Sequence, residues 1–354
     1  MTSEHAGRRQ FASDNWAGMC PEALAAMVEA NAGHAPSYGD DAWTSRAAEM
    51  IRELFATDCA VHFVFNGTSA NSLSLAALCQ PYNSILCHEH AHVEVAECSA
   101  PEFFSGGSKI LLVPGANGKI DPAAIAATVK RRTDVHYPKP GAITLTQATE
   151  GGTVYTAAEL REVTRAAREC GLHVHMDGSR IANALVARDA TPADITWRAG
   201  VDVLSFGGTK NGMGLGEAVV FFNLELAAEF EYRRKQAGQL ASKMRFLTAP
   251  WVGTLPDGIW LRHAKHANDM AQRLARALAN VPQAELAYPC ETNGAFVNLP
   301  LPVIKALRER GWKFHTHVRP ETCRLMCSWD TTEGDVDSFA AEVAELCATG
   351  CGKS

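Results

Sequence analysis

The sequence predicts an α/β fold: a mostly parallel central sheet flanked by helices, with a smaller α+β C-terminal domain. Three observations predict it. Short apolar runs of strand length recur at 61–65, 142–146, 172–176 and 201–206, bounded by turn-forming residues. The 33 residues from Asp177 to Lys210 leave room for one crossover helix, as parallel pairing requires. After a long amphipathic stretch at 259–279, the pattern changes to closely spaced short strands and two helices, which reads as helices on an antiparallel sheet.

Taken in order, residues 1–20 read as a loose arm carrying Ser13-Asp14-Asn15, a polar triplet of the kind that caps a helix or makes a turn. A helix at 21–32 opens on a proline and stops at Gly33. Tyr38-Gly39-Asp40-Asp41 is a turn by composition and leads into a helix at 44–55. The strand 61–65 turns through Gly67-Thr68-Ser69-Ala70-Asn71 into a helix continuing to Cys79. A short strand at 84–87 precedes His88, His90 and His92, whose alternate spacing would aim all three to one side if the strand continued. The strand 110–113, the turn 114–118 and a helix from Asp121 to about Arg131 follow. Next come the strand 142–146, the loop 147–152, and a helix at 157–170 feeding the strand that ends in Asp177. Gly212, Gly214 and Gly216 keep the backbone thin before a strand at 218–222, as either a flexible linker or a close backbone approach would require.

The stretch 224–236 is amphipathic, with Arg233-Arg234-Lys235 on its outer face, and 251–256 reads as a break. The remaining pieces are strands at 284–287, 295–299, 314–318 and 323–329, a helix at 303–310 and a final helix at 336–347. This divides the chain into an arm (1–20), a large domain (21–250) and a small domain (251–354).

Composition narrows the function classes. The chain has 354 residues, a hydrophobic fraction of 47% and a net charge of −6 without a long basic run, so nothing marks a nucleic-acid surface. Residues 1–10 lack a hydrophobic signal core, and no apolar run approaches the roughly 20 residues of a membrane helix, so a cytoplasmic protein is expected. The eleven cysteines lie mostly in apolar segments, as buried thiols do. Cys323 with Cys327, and Cys347 with Cys351, have spacings seen in metal sites, but neither pair has a second pair at zinc-finger distance.

Two strand ends carry the chemistry. Lys210 sits in a glycine-rich turn just past the carboxyl end of strand 201–206, where open α/β sheets place ligands. An amine held in a low-dielectric crevice loses proton affinity and can form a Schiff base with a carbonyl cofactor such as pyridoxal phosphate (PLP). Asp177, at the next strand end, can hold the pyridine nitrogen of that cofactor protonated. The amides and hydroxyls where 67–79 begins form a natural phosphate cradle, and in this company Gly67 and Thr68 are its expected members. For the histidines, zinc and a flat ring stacked on the pyridine are both available readings.

These motifs, together with Ser205-Phe206-Gly207-Gly208-Thr209-Lys210-Asn211-Gly212, His175-Met176-Asp177-Gly178-Ser179-Arg180 and Cys323-Arg324-Leu325-Met326-Cys327-Ser328-Trp329-Asp330, resemble the fold-type I PLP enzymes. Within them the chain resembles the L-threonine aldolase and phenylserine aldolase group of the β-eliminating lyase family. The resemblance implies PLP on Lys210, with Asp177 and Arg180 also binding the cofactor. His92 would be the stacking ring, with His90 the alternative, because the family places one histidine upstream of a segment like Glu97-Cys98-Ser99-Ala100-Pro101-Glu102. Ser13, Arg180 and Arg324 would clamp the substrate carboxylate, and Arg319 is a nearby decoy. Many relatives carry a histidine near 147–152; this chain has none there.

The expected reaction is cleavage of the Cα–Cβ bond of an L-β-hydroxy-α-amino acid to glycine and an aldehyde. His92, directly or through water, would take the hydroxyl proton. The resemblance also implies a dimer or tetramer and no metal. The alternatives are another PLP enzyme (an aminotransferase or β-eliminating lyase), a nucleotide-binding α/β protein, disfavoured because no Gly-x-Gly-x-x-Gly turn follows the first strand, and a non-catalytic regulator.

Overall fold

The computed structural model describes residues 10–349. Seven strands build the larger sheet: β1 (Ala60–Val64), β2 (Asn83–His88), β3 (Lys109–Val113), β4 (Lys139–Thr146), β5 (His173–Gly178), β6 (Val203–Phe206) and β7 (Glu217–Phe221). Their order is β1-β7-β6-β5-β4-β2-β3. β3, β2, β4, β5 and β6 pair in parallel, and β7 runs antiparallel to both β6 and β1. β2, β6 and β7 are buried at every position, which is why they read as continuous apolar runs rather than alternating ones. Helices cover both faces. Leu204 and Phe206 point into one core with the helices Ala42–Phe55 and Ala157–Glu169, while Val203, Val219 and Phe221 face the helix Gly67–Leu78 on the other side.

This topology opens the turns after β1, β2, β4, β5 and β6 at one edge of the sheet, and β7 starts there with Glu217. The two strand ends singled out from sequence therefore meet. Gly212, Gly214 and Gly216 all adopt positive φ, and a Cβ on Gly216 would lie 2.8 Å from the Leu247 carbonyl oxygen, so this segment is a close backbone approach rather than a linker.

A second, antiparallel sheet contains β8 (Glu285–Leu286), β9 (Gly294–Asn298), β10 (His315–His317) and β11 (Arg319–Met326), in the order β10-β11-β9-β8. The helices Ile259–Leu278, Leu301–Glu309 and Glu333–Ala348 supply its apolar core.

Several expectations are corrected. The segment read as a loose arm is tethered from Gln10 onward: Phe11 is fully buried, its ring stacks on Trp312 at 5.8 Å, and its N–H donates to Lys313 O at 2.7 Å. Residues 1–9 lie outside the described range. The break expected at 251–256 is mostly helix, Arg245–Thr254, with Pro250 inside it. Packing overrides the breakers: Trp251 is fully buried against Phe206, and Gly253 lets the helix Pro21–Ala30 approach so closely that a Cβ there would lie 2.6 Å from Glu22 O. The division at residue 250 falls inside this helix, and the first core continues to Ala264. The amphipathic stretch 224–236 is a 3₁₀ turn, Leu224–Ala227, followed by a helix, Phe230–Gln236, because Asn223 caps the first and Phe230 drops into the core. Arg234, expected on a solvated face, is buried. Cys323, Cys327 and Cys347 are side chains of the second core; Cys351 lies outside the described residues.

Candidate active site

β5 delivers Asp177 to the sheet edge almost completely buried. Its Oδ1 accepts the Ser179 N–H at 2.9 Å and the Ser179 hydroxyl at 2.6 Å, and its Oδ2 accepts Asn71 Nδ2 at 2.9 Å. Burial pushes the carboxyl pKa up. The charges of Lys210 and His92 and the Ser179 hydrogen bonds outweigh it and leave the group at about 2, an ionised carboxylate. Two residues earlier on the same strand face, His175 bridges Thr144 Oγ1 at 2.8 Å and Ser205 Oγ at 2.9 Å, tying β4, β5 and β6 together.

Lys210 follows β6 in the 3₁₀ turn Thr209–Asn211. The turn is seated directly on the one after β5: a Cβ on Gly207 would lie 2.5 Å from Ser179 Cα. Behind it, Glu217 Oε2 accepts the Gly208 N–H at 2.6 Å, and Asn211 Nδ2 donates to Trp260 O at 2.8 Å. Lys210 is half-buried and lines a cavity of about 600 Å³ with Gly67, Thr68, Asn71, His92 and Thr209. Gly67 and Thr68 open the helix Gly67–Leu78, whose N-cap Asn66 accepts the Ser69 N–H at 2.9 Å. Thr209, in the turn that carries Lys210, also lines the cavity, with its hydroxyl buried on the side of Glu217.

His92 does not share a strand face with His88 and His90, because β2 ends at His88. His88 Nδ1 accepts the His90 N–H at 3.1 Å and its Nε2 donates to Gly115 O at 3.1 Å, while His92 opens the short helix His92–Val95. The three imidazoles therefore do not form the single-sided zinc set that a continued strand would give. His92 Nδ1 lies 2.7 Å from Glu97 Oε1, which also accepts Asn71 Nδ2 at 2.8 Å. The Glu97 hydrogen bond raises the His92 pKa, and burial raises that of Glu97.

Beside this cavity lies a narrower one, lined by Glu150, Arg180, Phe296, Arg324 and Met326. Arg180 is held by Asp14, with Nε–Oδ2 at 2.7 Å and Nη2–Oδ1 at 2.9 Å, and Asn293 Nδ2 donates to the same carboxylate at 3.0 Å. Burial raises the Asp14 pKa, but Arg180, Lys210 and Asn293 bring it below the usual carboxylate range. Arg324 comes from β11; its Nη2 reaches Ala12 O at 3.3 Å, and its buried Nε has no partner among the described residues. Ser13 caps the turn Asp14–Trp16, its Oγ accepting the Asn15 N–H at 3.1 Å. Arg319, the decoy, is exposed at the start of β11.

A model of the beta-eliminating lyase family matches residues 10–300. The chain belongs to this family. The lyase is 58% identical over 335 residues to the low specificity L-threonine aldolase of Pseudomonas aeruginosa and 56% identical to that of Pseudomonas sp. strain NCIMB 10558, covering 95% of this chain and 97% of either relative. Its fold matches the solved threonine aldolase of Leishmania major with a TM-score of 0.89 at 29% identity, over 96% of this chain and 99% of that one.

Among the groups of the site that carry no role in the sequence reading are Asp14, Asn71, Glu97 and Glu217. Three stood inside the quoted motifs, where charged or amide residues next to an assigned one were the available signal. What Asp14 and Asn71 do depends on partners far away in sequence: Asp14 and Arg180 are 166 residues apart, and Asn71 and Asp177 106. Glu217 begins a strand whose edge position no local pattern reports.

Proposed function

We propose that this chain is a PLP-dependent aldolase that cleaves the Cα–Cβ bond of L-β-hydroxy-α-amino acids, giving glycine and an aldehyde. L-Threonine and L-allo-threonine are the proposed substrates, and L-phenylserine belongs to the same class. One observation carries the reading: a half-buried amine lines a cavity at a helix N-terminus, and an ionised, buried carboxylate bonded to Asn71 and Ser179 of the same cavity wall interacts electrostatically with it, in a chain 56–58% identical to two low specificity L-threonine aldolases.

The residues present fit the cofactor. An amine, a carboxylate, a flat imidazole and an anion-binding helix start are the donor set that PLP needs, and Lys210, His92, Gly67 and Thr68 line one cavity beside Asp177. When bound, PLP supplies a carbonyl for the substrate amine and an electron sink for the pair left on the α-carbon.

Lys210 would hold the group covalently through Nζ. Asp177 would keep a proton on the pyridine nitrogen, and being anchored by Asn71 and Ser179 it costs little reorganisation to do so. Gly67 and Thr68, aided by the helix dipole, would bind the phosphate. His92, its ring oriented by Glu97, would cover the cofactor face. Arg324 would grip the substrate carboxylate through its unpartnered Nε, with Arg180 beside it and Ser13 next to both. Holding the carboxylate there would fix the orientation of the α-carbon substituents, and so which of them is placed to leave.

Leu24 and Val28, one turn apart and more than half exposed on the helix Pro21–Ala30, support a dimer or tetramer. The described cysteines are free thiols, as a cytoplasmic protein would have them. No described helix is long and apolar enough to cross a membrane.

Incubation of the PLP-loaded protein with L-threonine, L-allo-threonine and L-phenylserine, with glycine and aldehyde assayed separately, tests the reading. Equimolar glycine and aldehyde are expected. A 2-oxo acid without glycine would instead mark an aminotransferase or a β-eliminating lyase.

A further inference from the structure

The loop after β4 reaches the carboxyl edge of the sheet beside the narrower cavity. Most of its polar groups are turned inward. Gln147 Nε2 donates to Tyr155 O at 2.9 Å and its Oε1 accepts the Tyr155 N–H at 3.1 Å, while the hydroxyls of Thr149 and Thr153 meet at 2.8 Å. Gly152 O accepts the Thr292 hydroxyl at 2.9 Å, which fixes the loop against the second sheet. Glu150 is the exception. It lines the cavity with Arg180, Arg324, Phe296 and Met326, yet its carboxylate makes no hydrogen bond or ion pair with any described residue. Around it stand two arginines and two imidazoles: Glu150 acts electrostatically on Arg180, Arg324, His92 and His317 without touching them.

The two arginines differ in what they have left to offer. Asp14 already neutralises Arg180 by a bidentate contact, whereas Arg324 retains an unpartnered Nε. Phe296, Met326 and Glu150 line the same confined space as Arg324, so they stand beside any amino acid whose carboxylate rests on that arginine. His92 is poorly suited to take a proton from such a substrate. Its Nδ1 is engaged by Glu97, and its ring lines the other cavity with Lys210.

We propose that Glu150 is the catalytic residue that accepts the β-hydroxyl proton of the substrate as the Cα–Cβ bond breaks. This rests on the aldolase reading above. In the step, the O–H proton moves to a Glu150 carboxylate oxygen and the O–H electron pair becomes the second bond of the aldehyde carbonyl. The Cα–Cβ pair stays on the α-carbon, which is then protonated to give glycine. No oxidant or reductant is needed.

Glycine itself has no β-hydroxyl, so exchange of its α-proton needs the cofactor site but not Glu150. In the PLP-loaded E150Q variant, the kcat for L-threonine cleavage is expected to fall about 10²–10⁴-fold. The rate of glycine α-proton exchange in D₂O, followed by NMR, is expected to stay within about threefold of wild type. E150D, which keeps a carboxylate on a shorter arm, is expected to recover at least about tenfold of the lost cleavage rate. Cleavage unchanged in E150Q, or cleavage and exchange falling together in both variants, would overturn the proposal. Absence of glycine from every substrate with the wild-type protein would instead sink the aldolase reading, a result distinct from any of these.

Discussion

Asp177 is placed where burial alone would neutralise a carboxyl, and it is kept ionised by Lys210, by His92 and by two hydrogen bonds from Ser179. Its charge is the functional property, so D177N should keep the shape and remove the effect. The expected outcome is a fall in kcat/KM of about 10³-fold, or about 4 kcal/mol of transition-state stabilisation. Steady-state cleavage of L-threonine at saturating PLP measures it. At this scale the positions of Lys210, Asp177, Gly67, Thr68 and Arg324 were legible, because each stands at a recognisable strand end, helix start or motif. Glu97 was visible only as a landmark, since nothing local says that its side chain would turn inward to His92.

At the scale of elements, the turns after β5 and β6 behave as one unit. Gly207 has no room for a side chain because Ser179 backbone occupies the space, at 2.5 Å from a built Cβ. G207A should push Lys210 away from Asp177 and lower kcat/KM by at least about 10²-fold. Circular dichroism should show the fold retained.

His175 gives β5 a pH dependence. Its full burial depresses the folded-state pKa from 6.5 to about 4, so the unfolded chain takes up the proton first as pH falls. The neutral ring therefore contributes its full stability above pH 6.5, and that contribution is lost on going from 6.5 down to about 4. The shift corresponds to about 3 kcal/mol. Urea titrations across this window should show stability falling with pH, and H175Q should flatten part of the slope. Element positions were largely legible from apolar runs and turn residues. The exceptions were the helix Arg245–Thr254, where Pro250 and Gly253 look like breakers until the neighbouring helix is in place, and the end of β2, where three alternating histidines imitate a longer strand.

At the scale of the whole molecule, the site is assembled from three distant parts of the chain. Asp14 near the N-terminus holds Arg180 at the main sheet edge across 166 residues, and Asn293 beside the second sheet reaches Asp14 across 279. Phe11, packed into the second core, sets where Ser13 and Asp14 lie. Such pairings are invisible to periodicity or local spacing in a single sequence, which explains why the arm was read as loose and Asp14 as a mere cap.

The central claim is that Lys210 is the cofactor's covalent anchor. Borohydride reduction of the PLP-loaded protein, followed by peptide mass spectrometry, tests it most directly. A pyridoxyl group on the peptide containing Lys210, absent from K210A, is the predicted result. A reduced cofactor attached to any other lysine, or still fixed to the chain in K210A, would contradict the account.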